Sequence, residues 1–96
     1  MKRSEPTLIG QSVASVLRQL GLESKVKQYE VIEQWPRIVG NRIAKVATAV
    51  RIENGKLFVH VERAPWRNEM VFLKTALIEK INKEMHQEVV KDIIFR

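Results

Sequence analysis

The stretch Val50-Arg51-Ile52-Glu53-Asn54-Gly55-Lys56-Leu57-Phe58-Val59-His60-Val61 decides the fold. A two-residue type I′ turn needs positive φ at both central positions, and Asn-Gly meets that need at the lowest steric cost. Folding the chain about Asn54-Gly55 sets Glu53 opposite Lys56, Ile52 opposite Leu57, Arg51 opposite Phe58, Val50 opposite Val59 and Thr48 opposite Val61. Side chains alternate across a strand, so Val50, Ile52, Leu57, Val59 and Val61 share an inward face. Glu53 and Lys56 meet as opposite charges on the other face.

Downstream of the hairpin, Pro65 suits the first turn of a long helix, where its missing amide donor is not needed. Trp66, Met70, Leu73, Leu77 and Ile81 recur at helical spacing and form its core stripe. Phe72, Ala76 and Ile78 widen the apolar arc, so burial on more than one side is expected as far as about Met85. Val89 to Phe95 reads as a closing strand with Ile93 and Phe95 inward.

Upstream, a helix is expected from Glu23 or Ser24, with Val26, Tyr29, Ile32 and Trp35 returning to roughly one face. Pro36 removes a donor and crowds the preceding turn, so a kink or restart is expected there, with Gly40 as the end. Asn41 to Lys45 can add one more turn that carries Ile43 and Ala44 inward. Before that, Thr7 can cap a first helix bearing Ile9, Val13, Val16, Leu17 and Leu20, closed by Gly21 with Leu22 packing back. Residues 1–6, ending at Pro6, read as a disordered lead, and residues 7–96 as one domain. The order is helix, helix, strand, strand, helix, strand. Such an order gives a two-layer α+β domain, a three-stranded sheet packed on a long helix.

Ninety-six residues suffice for one modest core, supplied here by aliphatics with two Trp, three Phe and one Tyr. There is no cysteine, hence no disulfide and no thiolate metal site. No run of about 18 apolar residues exists to span a membrane. The start, Met1-Lys2-Arg3-Ser4-Glu5-Pro6, lacks the apolar segment of a signal peptide, so a cytoplasmic location is expected.

Seventeen basic against eleven acidic residues give a formal charge of +6, the balance of a domain that attracts polyanions. The excess is local. Between Arg37 and Arg67 stand seven bases, Arg37, Arg42, Lys45, Arg51, Lys56, Arg63 and Arg67, against two acids, Glu53 and Glu62.

Catalytic parts are missing. His60 and His86 are the only imidazoles; a zinc site needs three or four suitably spaced ligands. The hairpin register points His60 away from the core. No nucleophile stands beside a base, and neither a P-loop nor a dinucleotide fingerprint occurs. A non-enzymatic protein without metal or cofactor is expected. Trp35 and Trp66 lie on apolar stripes and read as core. Phe58 is different: the register sets it outward beside Arg51 and His60, where it can stack a nucleic-acid base or lie under the first two helices.

Trp35-Pro36-Arg37-Ile38-Val39-Gly40 with Ala44 resembles the tryptophan and valine-glycine block of the DciA-like family. Gly55-Lys56-Leu57-Phe58-Val59-His60-Val61 with Ala64, Trp66, Glu69 and Leu73, and the ending Val89-Val90-Lys91-Asp92-Ile93-Ile94-Phe95-Arg96, continue the pattern over nearly the whole chain. The resemblance implies a fold similar to the KH nucleic-acid-binding domain and a role with the bacterial replicative helicase, which DciA recruits or helps load onto single-stranded DNA without being an ATPase itself. The Gly-x-x-Gly loop with which KH domains clamp a backbone does not occur here, so any nucleic-acid contact must use another surface. Many members also carry a basic, flexible tail implicated in helicase contact. This sequence stops at Arg96, directly after the expected last strand, and the expectation is that either the domain acts alone or the helicase role does not carry over.

The expected partners are therefore single-stranded DNA, with RNA as the alternative, and the replicative helicase. The expected nucleic-acid-binding residues are Arg37, Arg42, Lys45, Arg51, Lys56, Phe58, Arg63 and Arg67. A protein-interaction module that meets an acidic partner without touching nucleic acid is the second reading. A membrane surface is not expected, because no helix sets a continuous basic face against an apolar one.

Overall fold

The computed structural model describes residues 12–96. Three helices, α1 (Val13–Gln19), α2 (Glu23–Val39) and the single turn α3 (Asn41–Ala44), precede the hairpin strands β1 (Ala47–Glu53) and β2 (Lys56–Val61). The long helix α4 (Ala64–Met85) then leads to β3 (Asp92–Phe95). The sheet order is β1-β2-β3, antiparallel across the hairpin and parallel between β2 and β3, with α4 as the crossover. This is the expected α+β order, compatible with a KH-like fold.

The turn carries Asn54 at φ 51° and Gly55 at φ 79°, as a type I′ hairpin requires. The Gly55 carbonyl also accepts from the Lys91 and Asp92 amides at 2.7 and 3.2 Å, so one tight turn starts β2 and seats β3. Glu53–Lys56, Ile52–Leu57 and Arg51–Phe58 pair as expected. Beyond them the register departs from a regular ladder. A bulge between Ala49 and Arg51 leaves Val50 unpaired, so Ala49 faces Val59, Thr48 faces His60 and Ala47 faces Val61. Val50 is therefore 49% exposed, and Ala47 and Ala49 take the inward positions. The helical layer over β1 thus meets the small side chains of Ala47 and Ala49 in place of Val50. Glu53 and Lys56 stand opposite each other, but the Glu53 carboxylate accepts from Arg51 Nε at 2.9 Å instead.

α2 and α4 pack on each other and on the inward face, α2 chiefly on β1 and α4 on β3. Val31, Trp35 and Ile38 are the buried face of α2; Ile32 packs at its margin, while Val26 and Tyr29 are exposed. The helix runs through Pro36 without a restart. Trp35 and Ile38, on either side of it, are both within 2% of full burial, and that packing outweighs one forgone backbone bond.

α1 begins at Val13, capped by the Ser12 hydroxyl, which accepts from the Ser15 amide at 3.1 Å. Thr7, Ile9 and the lead 1–6 lie outside the described residues. Gly21 closes α1 at φ 73°, and the Leu22 amide reaches back to the Leu17 carbonyl at 2.8 Å. α1 touches α2 alone among the described elements and buries none of its residues, so the described part of its apolar stripe, from Val13 on, adds nothing to the described core.

On α4, Met70, Leu77, Ile81 and Met85 are buried and Trp66 and Ile78 lie at the core margin. The wider arc does not extend burial to a second side: Phe72 is 85% exposed, and Ala76 is exposed too. His86, at φ 58°, supplies the left-handed residue that ends α4. Val89 and Val90 are buried but precede β3. The Asn82 amide holds them, its Oδ1 accepting from both backbone amides at 3.0 and 2.9 Å while its Nδ2 donates to the Val90 carbonyl at 2.8 Å.

Candidate nucleic-acid interface

With Ala47, Ala49, Ile52, Leu57, Val59, Val61 and Ile93 turned to the helices, strand alternation sends the others to the opposite face. That outer face presents Thr48, Arg51, Glu53, Lys56, Phe58, His60, Ile94 and Arg96, and the bulge adds Val50. Among the described residues no helix covers it.

Phe58 is central. It lies on the middle strand, with Arg51 across β1 on one flank and Arg96, at the end of β3, on the other. The Arg51 guanidinium carbon stands 4.1 Å from the ring centroid and that of Arg96 stands 5.1 Å away, both within cation–π range. Val50, Arg51, Phe58, Val59, His60 and Arg96 line one shallow groove. The bulge builds it: consecutive residues Val50 and Arg51 both reach the outer side, which a regular strand forbids. Arg96 is seated by its backbone, its amide donating to Val59 at 3.0 Å and its carbonyl accepting from Val61 at 2.8 Å.

The two acids within the strands are both engaged. Glu53 pairs with Arg51, and Asp92 pairs with Lys74 of α4 at 3.1 Å. The Lys74 hydrogen bond, with help from the Ile93 amide, holds the Asp92 carboxyl below the usual carboxylate range. Asp92 thus stays ionised and bound to Lys74, while Lys56 and Arg96 have no acidic partner within salt-bridge distance among the described residues.

The other expected residues divide by place. Lys45 and Arg63 flank the hairpin at the end remote from Asn54-Gly55, both exposed. Arg42, on α3, lines a second, more apolar groove with Ile43, Pro65, Trp66, Glu69 and Leu73. Two others are engaged in the fold. Arg37 donates to Gln34 at 2.6 Å and to Glu84 at 3.0 Å, bridging α2 and α4. Arg67 donates to the Val61 carbonyl at 2.6 Å, fastening the start of α4 to the end of β2. Arg96 is the functional candidate that sequence reasoning passed over. It lies outside the basic segment; its outward position follows from inward Ile93 and Phe95, but its place beside Phe58 needs the parallel β2–β3 pairing.

The family model described as "Dna[CI] antecedent, DciA" matches residues 8–95. The chain belongs to the DciA family. A UPF0232 protein of Mycobacterium bovis is 25% identical over 89 residues, 93% of this chain and 48% of its own length. Those of Mycolicibacterium smegmatis, 29% identical over 77 residues (80% of this chain, 40% of theirs), and Rhodococcus jostii, 26% identical over 89 residues (93% and 47%), are similar too. The chain spans about half the length of the curated relatives it matches. Among the described residues, no group of three or more His, Asp or Glu is placed to hold a metal ion, and no helix is long and apolar enough to cross a membrane.

Proposed function

We propose that this DciA-family chain is a non-enzymatic accessory protein that binds single-stranded DNA on the outer face of its sheet and assists recruitment or loading of the replicative helicase. One observation carries the DNA-binding part: an aromatic ring held between two arginines on a sheet face free of described helices. Single strands are bound by cationic grooves combined with planar side chains, because phosphates supply charge at regular spacing and unpaired bases expose flat faces. Lys56 at the turn end, and Lys45 and Arg63 at the other, extend the cationic track along the hairpin. The family description, naming an antecedent of Dna[CI], supports the helicase part.

Titration of a labelled oligodeoxynucleotide with the chain at several salt concentrations tests the DNA-binding part. Each neutralised phosphate releases counterion, so affinity should fall linearly with salt on logarithmic axes. Failure to bind at low salt overturns the proposal.

The second groove favours a protein contact as well. Trp66, Leu73 and Ile43 line it, between the opposite charges of Arg42 and Glu69. Capture of the helicase that survives nuclease and is lost on Trp66→Ala, with the melting temperature checked, would assign helicase contact to this groove. Capture that disappears with nuclease would instead make DNA the bridge.

A further inference from the structure

We infer that Phe58 is not itself the surface on which a base stacks: it is the central layer that holds the guanidinium planes of Arg51 and Arg96, and those planes receive the unpaired bases of single-stranded DNA. This rests on the outer sheet face being the DNA-binding surface. The geometry leaves little else for the ring to do. Arg51 reaches Phe58 from β1 and Arg96 from β3, so the flanks of the ring toward both neighbouring strands are occupied, at 4.1 and 5.1 Å. The side chain is only part-exposed, although its strand position faces outward. A base placed directly on Phe58 would have to displace an arginine and forfeit its cation–π contact.

The two arginines are the exposed residues of this cluster. A guanidinium is planar and weakly hydrated, so one face can lie on the phenyl ring while the other lies under a base and its edge donors reach a phosphate. Lysine carries the same charge but no plane. Arg51 also donates to Glu53 at 2.9 Å, a surface pair that favours this orientation of the guanidinium. The ligand chemistry that fits is therefore an anionic strand with accessible base faces. A duplex hides those faces and offers phosphates alone.

The test compares oligodeoxythymidine with an abasic strand of equal length, titrated against the chain and its Arg51→Lys and Arg96→Lys variants. Wild type should prefer the thymidine strand by about fivefold or more, the low end of what stacking contributes per base. Each lysine variant should lose most of that preference, with a smaller loss of affinity for the abasic strand, while keeping its melting temperature and a salt dependence close to wild type. Equal binding of both strands by wild type, or lysine variants that keep the full preference, would overturn the inference and leave a purely electrostatic DNA surface. A wild type that binds neither strand would remove the DNA-binding proposal and this inference with it. A ribo-oligonucleotide of the same length preferred over the deoxy strand would overturn the choice of DNA.

Discussion

The indole Nε1–H of Trp35 donates to the carbonyl of Ala47 at 2.9 Å, a buried bond that ties the middle of the helical layer to the first residue of the sheet. Trp35 is 2% exposed and Ala47 1%, so neither group has water as an alternative partner. Trp35→Phe keeps most of the apolar contact but strands that carbonyl. A loss of about 1–3 kcal/mol is expected, the cost of a buried polar group left unpaired, measured by urea unfolding. An unchanged midpoint would mean that water reaches Ala47.

Asn82 does for β3 what Trp35 does for β1. Its side chain makes three hydrogen bonds to the backbone of Val89 and Val90, and Asn82→Ala removes them all. The variant should lose about 2–4 kcal/mol. Amide exchange at Val89 and Val90 should accelerate more than at Leu57 or Val59. Uniform acceleration across the sheet would show that Asn82 does not hold the segment locally.

Asp92 gives stability a pH dependence. Its carboxyl lies below its ordinary value in the folded chain, chiefly through the Lys74 hydrogen bond. That contribution is present above the unfolded carboxylate range and is lost as pH falls through the folded value. Both side chains are about a third or more exposed, at 34% and 42%, so solvent holds the effect to about 1 kcal/mol or less. Lys74→Met should flatten the acid limb of the urea-midpoint profile. Parallel profiles for the two proteins would exclude the pair as its source.

The bulge makes Val50 a surface residue. Val50→Ser should change stability by no more than about 0.5 kcal/mol, whereas Leu57→Ala, two positions past the turn and fully buried, should cost about 2–5 kcal/mol. A loss above about 1 kcal/mol for Val50→Ser would restore the regular hairpin in which Val50 points inward.

Much of this architecture is legible in the residues. Asn54-Gly55 and its neighbours specify the hairpin because turn chemistry is local, and Pro65 with the Met70–Ile81 stripe marks α4 for the same reason. The bulge is not legible: Ala49 and Val50 are both acceptable inward residues, and only the helices packed above them decide between the two. Nor does amphipathicity reveal that, among the described residues, nothing covers α1 or the Phe72 side of α4. In the candidate site, Arg51 and Phe58 follow from the register. Arg96 requires a strand pairing between residues far apart in sequence. Arg37 and Arg67 share the composition of the basic segment, yet Glu84 and the Val61 carbonyl, both supplied by tertiary structure, engage them.

Single-stranded DNA is proposed to lie on the outer sheet face across Arg51, Phe58 and Arg96. Backbone amide shifts recorded during titration of the isotope-labelled chain with oligodeoxythymidine test this placement. The predicted result is perturbation of Val50, Arg51, Phe58, His60 and Arg96 in the same titration step, with Arg37, Glu84 and the buried face of α2 little changed. Perturbation confined to Arg42, Trp66, Glu69 and Leu73, with the sheet silent, would contradict it.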